Sequence, residues 1–369
     1  MNILTNYLQF SEDYAEIAGY LTLEDIFTLD AIYLTAQRCA IGFKKRKDTQ
    51  AFLFDPWGSS LKIQRAVLDG AYKPKYYKTV KLMERGKIRE IKPPVFESKV
   101  IQKLLCDYII RPVLEREIID TSYASVVGRG TAAMQRDITN AINAHMKASE
   151  DGFVIITDFR GYFASIDLVV LRKMLEERIS DRRIVDLCMK FSPGERGLSL
   201  GNELSQIPAS FYPTAIDKTV IASGLTQGYF RYMDDTLMIV RSRKDISRVL
   251  EIQKREADAL HLTIKPPKVI RLGKNFDFCK VRYRYDRKHN QYFTLPNKTT
   301  AKREKRKLYY FQEQIKEGSM TEKEAEMQYK SFVGAFTSQP NTAGAAARIR
   351  EVYSRTVENV SQTAQAMQR

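Results

Sequence analysis

The stretch Tyr229-Phe230-Arg231-Tyr232-Met233-Asp234-Asp235-Thr236-Leu237-Met238-Ile239-Val240 decides how the rest of the chain is read. Two apolar arms flank an acidic centre, which predicts a tight β-hairpin with carboxylates at its tip. Neighbouring strand side chains point to opposite faces, so Asp234 and Asp235 do not make one tight site by themselves. A third carboxylate has to come from elsewhere. Gly152 to Ile156 is a short apolar run followed by Thr157-Asp158, the pattern of a buried central strand that delivers an acid at its end. Three such groups suit a divalent cation. Magnesium takes hard oxygen ligands and keeps substrate phosphates in its shell, and a pair of these ions can activate an attacking 3′-hydroxyl and steady a departing pyrophosphate. The chemistry implied is nucleotidyl transfer.

The acids stand out because the chain as a whole is basic. Its 369 residues carry 60 Lys and Arg against 44 Asp and Glu, a net charge of +16, so a polyanionic partner is expected, nucleic acid first and an anionic membrane surface second. Four scattered cysteines and three scattered histidines give no zinc-knuckle or redox spacing, and free thiols are expected. No uncharged run is long enough to span a bilayer, which points to a cytoplasmic protein without a membrane partner.

Between Lys265 and Lys307, fifteen basic residues meet three acids, with Phe276, Phe278, Tyr283, Tyr285, Tyr292 and Phe293 interleaved; strands with a basic outer face for phosphates are expected. Alternation over Lys87-Ile88-Arg89-Glu90-Ile91 after Arg85-Gly86 predicts a hairpin strand, stopped by Pro93-Pro94. Val100, Leu104, Leu105 and Tyr108 predict a buried helix up to Arg111-Pro112. Leu171, Leu175 and Ile179 mark a core-facing helix capped by Ser165 or Asp167. From Thr299 the chain turns helix-prone, with a break at Ser319-Met320-Thr321 and an Ala-rich stretch at Ala343 to Ala347.

Tyr232-Met233-Asp234-Asp235 resembles the active-site hairpin of reverse transcriptases, and Asp158-Phe159-Arg160-Gly161-Tyr162-Phe163 resembles their first catalytic motif, in the same order. Gly86-Lys87-Ile88-Arg89 with Pro93 and Gln102 is similar to the fingers motifs of the group II intron-like prokaryotic enzymes. Ser122-Tyr123 with Gly128-Arg129-Gly130 resembles their next block. Leu198 to Gln206 stands where that family has a Gly-containing loop before a helix. Asn297 to Leu308, with Ser331-Phe332-Val333-Gly334, resembles the thumb of small members. The resemblance covers about residues 35 to 355.

Carried over by position, the resemblance makes Asp158, Asp234 and Asp235 the metal-holding catalytic acids. Phe163 becomes the steric gate against a ribose 2′-hydroxyl, with Phe159 beside the nucleotide. Lys87 and Arg89 clamp the triphosphate, Gly201 and Gln206 lie against nucleotide and template, and Lys268 stands near the leaving pyrophosphate as a proton donor. Tyr232, Phe276, Phe278, Arg282, Arg284, Lys302, Arg303 and Arg306 become the primer and template contacts. The chain departs from many members where Ser199-Leu200-Gly201 replaces Pro-Gln-Gly and Ser205-Gln206 replaces Ser-Pro. Such a Gly-x-x-x-Ser-Gln pattern is similar to diversity-generating retroelement and phage-defence enzymes, and Ile207 to Pro213 leans toward the latter. Pro213 is expected to kink the helix that carries it.

The expectation is therefore an α+β right-hand polymerase with fingers, a palm of ferredoxin-like βαββαβ type, and a helical thumb. Residues 1–150 are read as N-terminal extension and fingers, 151–296 as palm with a fingers/palm segment at 181–206, and 297–369 as thumb and tail. The implied function is RNA-directed DNA polymerisation with two Mg²⁺ ions, Mn²⁺ being the implied substitute, in bacterial anti-phage defence. The implied partners are an RNA template in a structured non-coding RNA, the DNA product, dNTPs, and a protein partner or second copy. The rival readings are a retroelement enzyme, untemplated or protein-primed synthesis, and a structural nucleic-acid-binding subunit with a vestigial site.

Overall fold

The computed structural model describes residues 12–84, 87–149, 151–296, 298–337 and 343–358. The chain forms two compact units, one from Met1–Gly128, Thr157–Gly224 and Ser247–Pro266, the other from Arg129–Ile156, Leu225–Ile246 and Pro267–Arg369.

In the first unit β1 (Val80–Glu84) and β2 (Lys87–Ile91) pair antiparallel, from Val80 opposite Ile91 to Glu84 opposite Lys87. This is the expected hairpin; its Arg85-Gly86 turn lies outside the described residues. Helix Leu29–Ala40 packs on helices Pro56–Leu68 and Phe96–Leu105, burying Ile32, Ala36, Ile63, Val100 and Leu104. The helix expected to end at Arg111-Pro112 instead continues. It widens into a π-turn at Cys106–Ile110 and runs on through Arg111–Glu115. Pro112 has no N–H to offer the carbonyl of Tyr108 four residues back. The Tyr14 hydroxyl donates to that carbonyl at 3.1 Å, and the stop signal is overridden by a tertiary contact.

Of the two expected caps, Asp167 takes the role. Its carboxylate accepts from the Val169 and Val170 N–H groups at 2.9 and 3.1 Å, opening helix Leu168–Glu176, and Leu171, Leu175 and Ile179 are buried as expected. Pro213 differs from expectation. Helix Glu203–Phe211 has already ended before it, and Pro213 sits at the N-cap of the next helix, Thr214–Ala222. The proline inside a helix is Pro208, whose carbonyl accepts from Tyr212 N–H at 2.8 Å.

A four-stranded sheet has the order β4-β5-β3-β6, with β3 Phe153–Asp158, β4 Thr226–Tyr232, β5 Asp235–Val240 and β6 Lys268–Arg271; its residues belong to the second unit except Thr157 and Asp158, which end β3 and are counted with the first. Helices fall between β3 and β4 and between β5 and β6, so the connectivity and strand order are those of the expected βαββαβ palm. Inner strands β3 and β5 are nearly continuous apolar runs, whereas β6 is an exposed edge.

The basic, aromatic stretch forms a separate antiparallel sheet of β7 (Phe276–Phe278), β8 (Val281–Asp286) and β9 (Gln291–Pro296). Phe276 stacks on Tyr283 at 4.7 Å, and the Asn143 side chain of helix Thr131–Ala148 pairs with both the N–H and the carbonyl of Tyr292. Helices Lys298–Lys316, Glu322–Thr337 and Ala343–Tyr353 then enclose Leu308, Phe311, Ala325, Tyr329, Ile349 and Tyr353, with the break where Ser319 to Thr321 predicted it; Asn297 lies outside the described residues. The four cysteines are free, and among the described residues no helix is long and apolar enough to cross a membrane.

Two stability predictions follow from these contacts. Tyr14→Phe leaves the Tyr108 carbonyl without its donor and should lower the unfolding free energy by about 1 kcal/mol in urea titration. His261 Nδ1 lies 2.7 Å from an Asp167 oxygen, and this hydrogen bond, ahead of the two backbone N–H groups, holds the Asp167 carboxyl below its ordinary range. A lowered folded value means that the stabilisation is complete above the ordinary carboxylate pKa of about 4 and is lost as pH falls through the lowered one. Asp167→Asn should therefore flatten the acid limb of a Tm-versus-pH curve.

Candidate active site

The β4–β5 ladder closes with Tyr232 opposite Asp235, which leaves only Met233 and Asp234 to turn the chain. Met233 has φ +58°, a left-handed conformation that side chains other than glycine's adopt at a cost. Beneath the turn Arg231 is fully buried, and its Nη1 donates to the Met233 carbonyl at 3.1 Å. Asp234 and Asp235 are half-buried. The Cys279 thiol donates to Asp235 Oδ2 at 3.7 Å; burial, then the Asp235 charge, pushes that thiol well above its ordinary value, so it stays protonated as a donor. Cys279 and Lys280 form the β7–β8 turn, both with positive φ. Burial also raises the half-buried Tyr232 phenol.

Asp158 ends β3, and β5, which opens with Asp235, is the neighbour of β3 in the sheet. The Lys265 ammonium pairs with Asp158 Oδ2. Asp158 Oδ1 is buried and, among the described residues, has no hydrogen-bond partner. A segment after helix Arg243–Ala259 runs antiparallel to the chain beyond Asp158: Arg160 N–H donates to Thr263 O at 2.8 Å, Phe159 bridges Ile264, and Lys265 N–H donates to Asp158 O at 2.9 Å. Below it Gln253 Nε2 bonds Thr157 Oγ1 at 2.9 Å in the interior.

An orphaned buried carboxylate oxygen is costly unless a donor or cation satisfies it, and a hard divalent ion does so. The donors offered by Asp158, Asp234 and Asp235 are all carboxylate oxygens, a chemistry that fits magnesium or manganese. Among the described residues no group of three or more His, Cys, Asp or Glu side chains forms a metal cage.

The remaining expected residues divide into several groups. Phe159 is buried and stacks on Tyr162 at 5.5 Å, while half-buried Phe163 meets the same ring edge-on at 6.0 Å. Gly201 has φ +93°, and a Cβ there would lie 2.6 Å from Ile91 Cγ2, so only glycine lets its loop close on β2. Lys87 and Arg89 occupy alternate positions of β2, opposite Glu84 and Leu82. Gln206 is exposed on helix Glu203–Phe211. Lys268 is exposed at the start of β6, opposite Ile156, and the ammonium that pairs with Asp158 is that of Lys265.

Phe276 and Phe278 lie in the core of the small sheet, so their rings are not presented to a ligand. That sheet offers Arg282, which pairs with Asp277 at 3.5 Å, and exposed Arg284 over Phe293 at 5.9 Å. Lys302, Arg303 and Arg306 are exposed on helix Lys298–Lys316.

Sequence reasoning missed Arg231, Lys265 and the clamp on the Gly201 loop. In that clamp Gln102 donates to Asn202 Oδ1 at 3.2 Å and accepts from Glu203 N–H at 3.1 Å. A lone arginine set between the aromatic residues Phe230 and Tyr232, just before the acidic turn, was the available signal for Arg231.

A family model described as reverse transcriptase (RNA-dependent DNA polymerase) matches residues 73–282. No curated protein matches the chain. A solved structure of apo telomerase from Candida Tropicalis, truncated from its C-terminal domain, is similar with a TM-score of 0.46 and 12% identity. The alignment covers 64% of this chain and 59% of that one, so the chain spans less than two thirds of that structure's length.

Arg231→Met removes the buried donor under the turn and should cost about 3 kcal/mol, read as a lower urea midpoint at unchanged slope.

Proposed function

The chain belongs to the reverse transcriptase (RNA-dependent DNA polymerase) family, and on that premise we propose that it synthesises DNA on an RNA template at Asp158, Asp234 and Asp235. The observation that carries this is the pairing of a two-residue acidic turn with a neighbouring strand that ends in a carboxylate, inside the βαββαβ sheet of a strongly basic chain. The three aspartates would hold Mg²⁺, with Mn²⁺ as a substitute. When bound, such ions polarise the attacking 3′-hydroxyl and neutralise charge on the triphosphate.

The chain's own groups supply position and selectivity. Phe163, braced by Tyr162, stands as the gate against a 2′-hydroxyl, with Phe159 packed behind. Lys87 and Arg89 hold the triphosphate, for which a planar guanidinium suits phosphoryl oxygens. Gly201 and Gln206 border the nucleotide and template, and Lys268 serves the departing pyrophosphate. Tyr232, the backbone at Phe276 and Phe278, and the side chains of Arg282, Arg284, Lys302, Arg303 and Arg306 follow primer and template through phosphates and 2′-hydroxyls, without base selection. In this reading the hairpin β1–β2 and its helices are fingers, the four-stranded sheet is the palm, and the helices from Lys298 onward are the thumb. The biological setting we propose is bacterial defence against phage, with a structured non-coding RNA supplying the template.

Purified protein with its co-purifying RNA should incorporate labelled dNTPs in Mg²⁺, and Asp234→Ala with Asp235→Ala should reduce this by about 10³-fold or more. Incorporation that persists in the double variant removes the proposed site. Sequencing the product against the bound RNA tests templating. Phe163→Ala should admit ribonucleotides, lowering sugar discrimination by about 10- to 100-fold; unchanged discrimination assigns the gate elsewhere. Phage plating on cells with the wild-type or double-variant gene reads the defence role.

A further inference from the structure

Lys265 is held by more than its own side chain. The Tyr212 hydroxyl donates to Leu260 O at 2.8 Å, His261 pairs with Asp167, and the backbone from Thr263 to Lys265 is laddered to Asp158, Phe159 and Arg160. Ile156 pairs with Lys268, whereas Phe159 pairs with Ile264. Three residues, Lys265, Pro266 and Pro267, therefore face two, Thr157 and Asp158. This is a β-bulge, a device that re-aims side chains, and its two prolines have no N–H with which to resume a regular ladder. The bulge brings the Lys265 ammonium onto Asp158 Oδ2 while Oδ1 stays buried without a partner among the described residues.

We propose that Lys265 is the resident counter-ion of Asp158, that a divalent cation must displace its ammonium, and that Lys265 thereby sets the cation concentration at which the site fills. The proposal rests on Asp158 being a metal ligand. An ammonium in contact with a carboxylate neutralises the charge that attracts a hard cation, and it repels a divalent ion approaching the same oxygens. In its absence Asp158 keeps its geometry, since the backbone ladder to residues 263–265 does not depend on the side chain.

The test is Mn²⁺ binding to the full chain without nucleotide, read from the electron paramagnetic resonance signal of free Mn²⁺. Lys265→Met and Lys265→Gln should each bind Mn²⁺ about fivefold tighter than wild type, and Lys265→Arg should match wild type. Thermal melting gives a second readout: Mn²⁺ should raise the Tm of Lys265→Gln more than that of wild type, measured from an EDTA baseline. Asp158→Asn separates the two ideas. If it leaves Mn²⁺ affinity unchanged, Asp158 is no ligand and the metal reading falls, taking the proposal with it. If it weakens binding while both neutral Lys265 variants bind no tighter than wild type, the counter-ion role alone is overturned.

Discussion

The β4–β5 ladder leaves two residues to reverse the chain, and the site depends on that shortage. A longer loop would let the acids wander. With Tyr232 still paired to Asp235, Asp234 is fixed at the tip and Asp235 in the first rung, at the cost of a left-handed Met233. A turn of this kind needs support from below, and Arg231 gives it by bonding the Met233 carbonyl from a position closed to water. The acidic turn is thus carried on a buried guanidinium that holds its backbone from the inside.

The same economy recurs around Asp158. Its strand is an inner member of the sheet, its backbone is laddered beyond the strand end, and one carboxylate oxygen is neutralised by a lysine that a bulge delivers. Elsewhere the excess of positive charge is spent on outward-facing positions, on the small sheet at Arg284 and on the helix carrying Lys302, Arg303 and Arg306. These bases stand where solvent screens them.

Features set by neighbours in sequence were legible in it. The hairpins, the Asp167 cap, the break near Met320 and the sheet-forming aromatics all follow from local period and turn chemistry. Features set by distant partners were not. The helix through Pro112 continues because Tyr14, nearly a hundred positions away, takes over the Tyr108 carbonyl. Pro213 reads as a kink until helix Glu203–Phe211 is seen to end before it. Lys268 and Lys265 are both basic residues flanking two prolines, and only the register of the bulge tells which one reaches Asp158. Phe276 and Phe278 carry no local sign of whether their rings turn inward.

The interleaving of the two units bears on how the molecule is made. The first unit recruits Ser247–Pro266 as its last piece, and the second draws on segments before and after it. On the ribosome, the fold around Asp158 cannot close until that late segment has emerged, so a long stretch of exposed apolar chain must wait for it. Synthesis therefore passes through a window in which neither unit has all of its segments outside the ribosome.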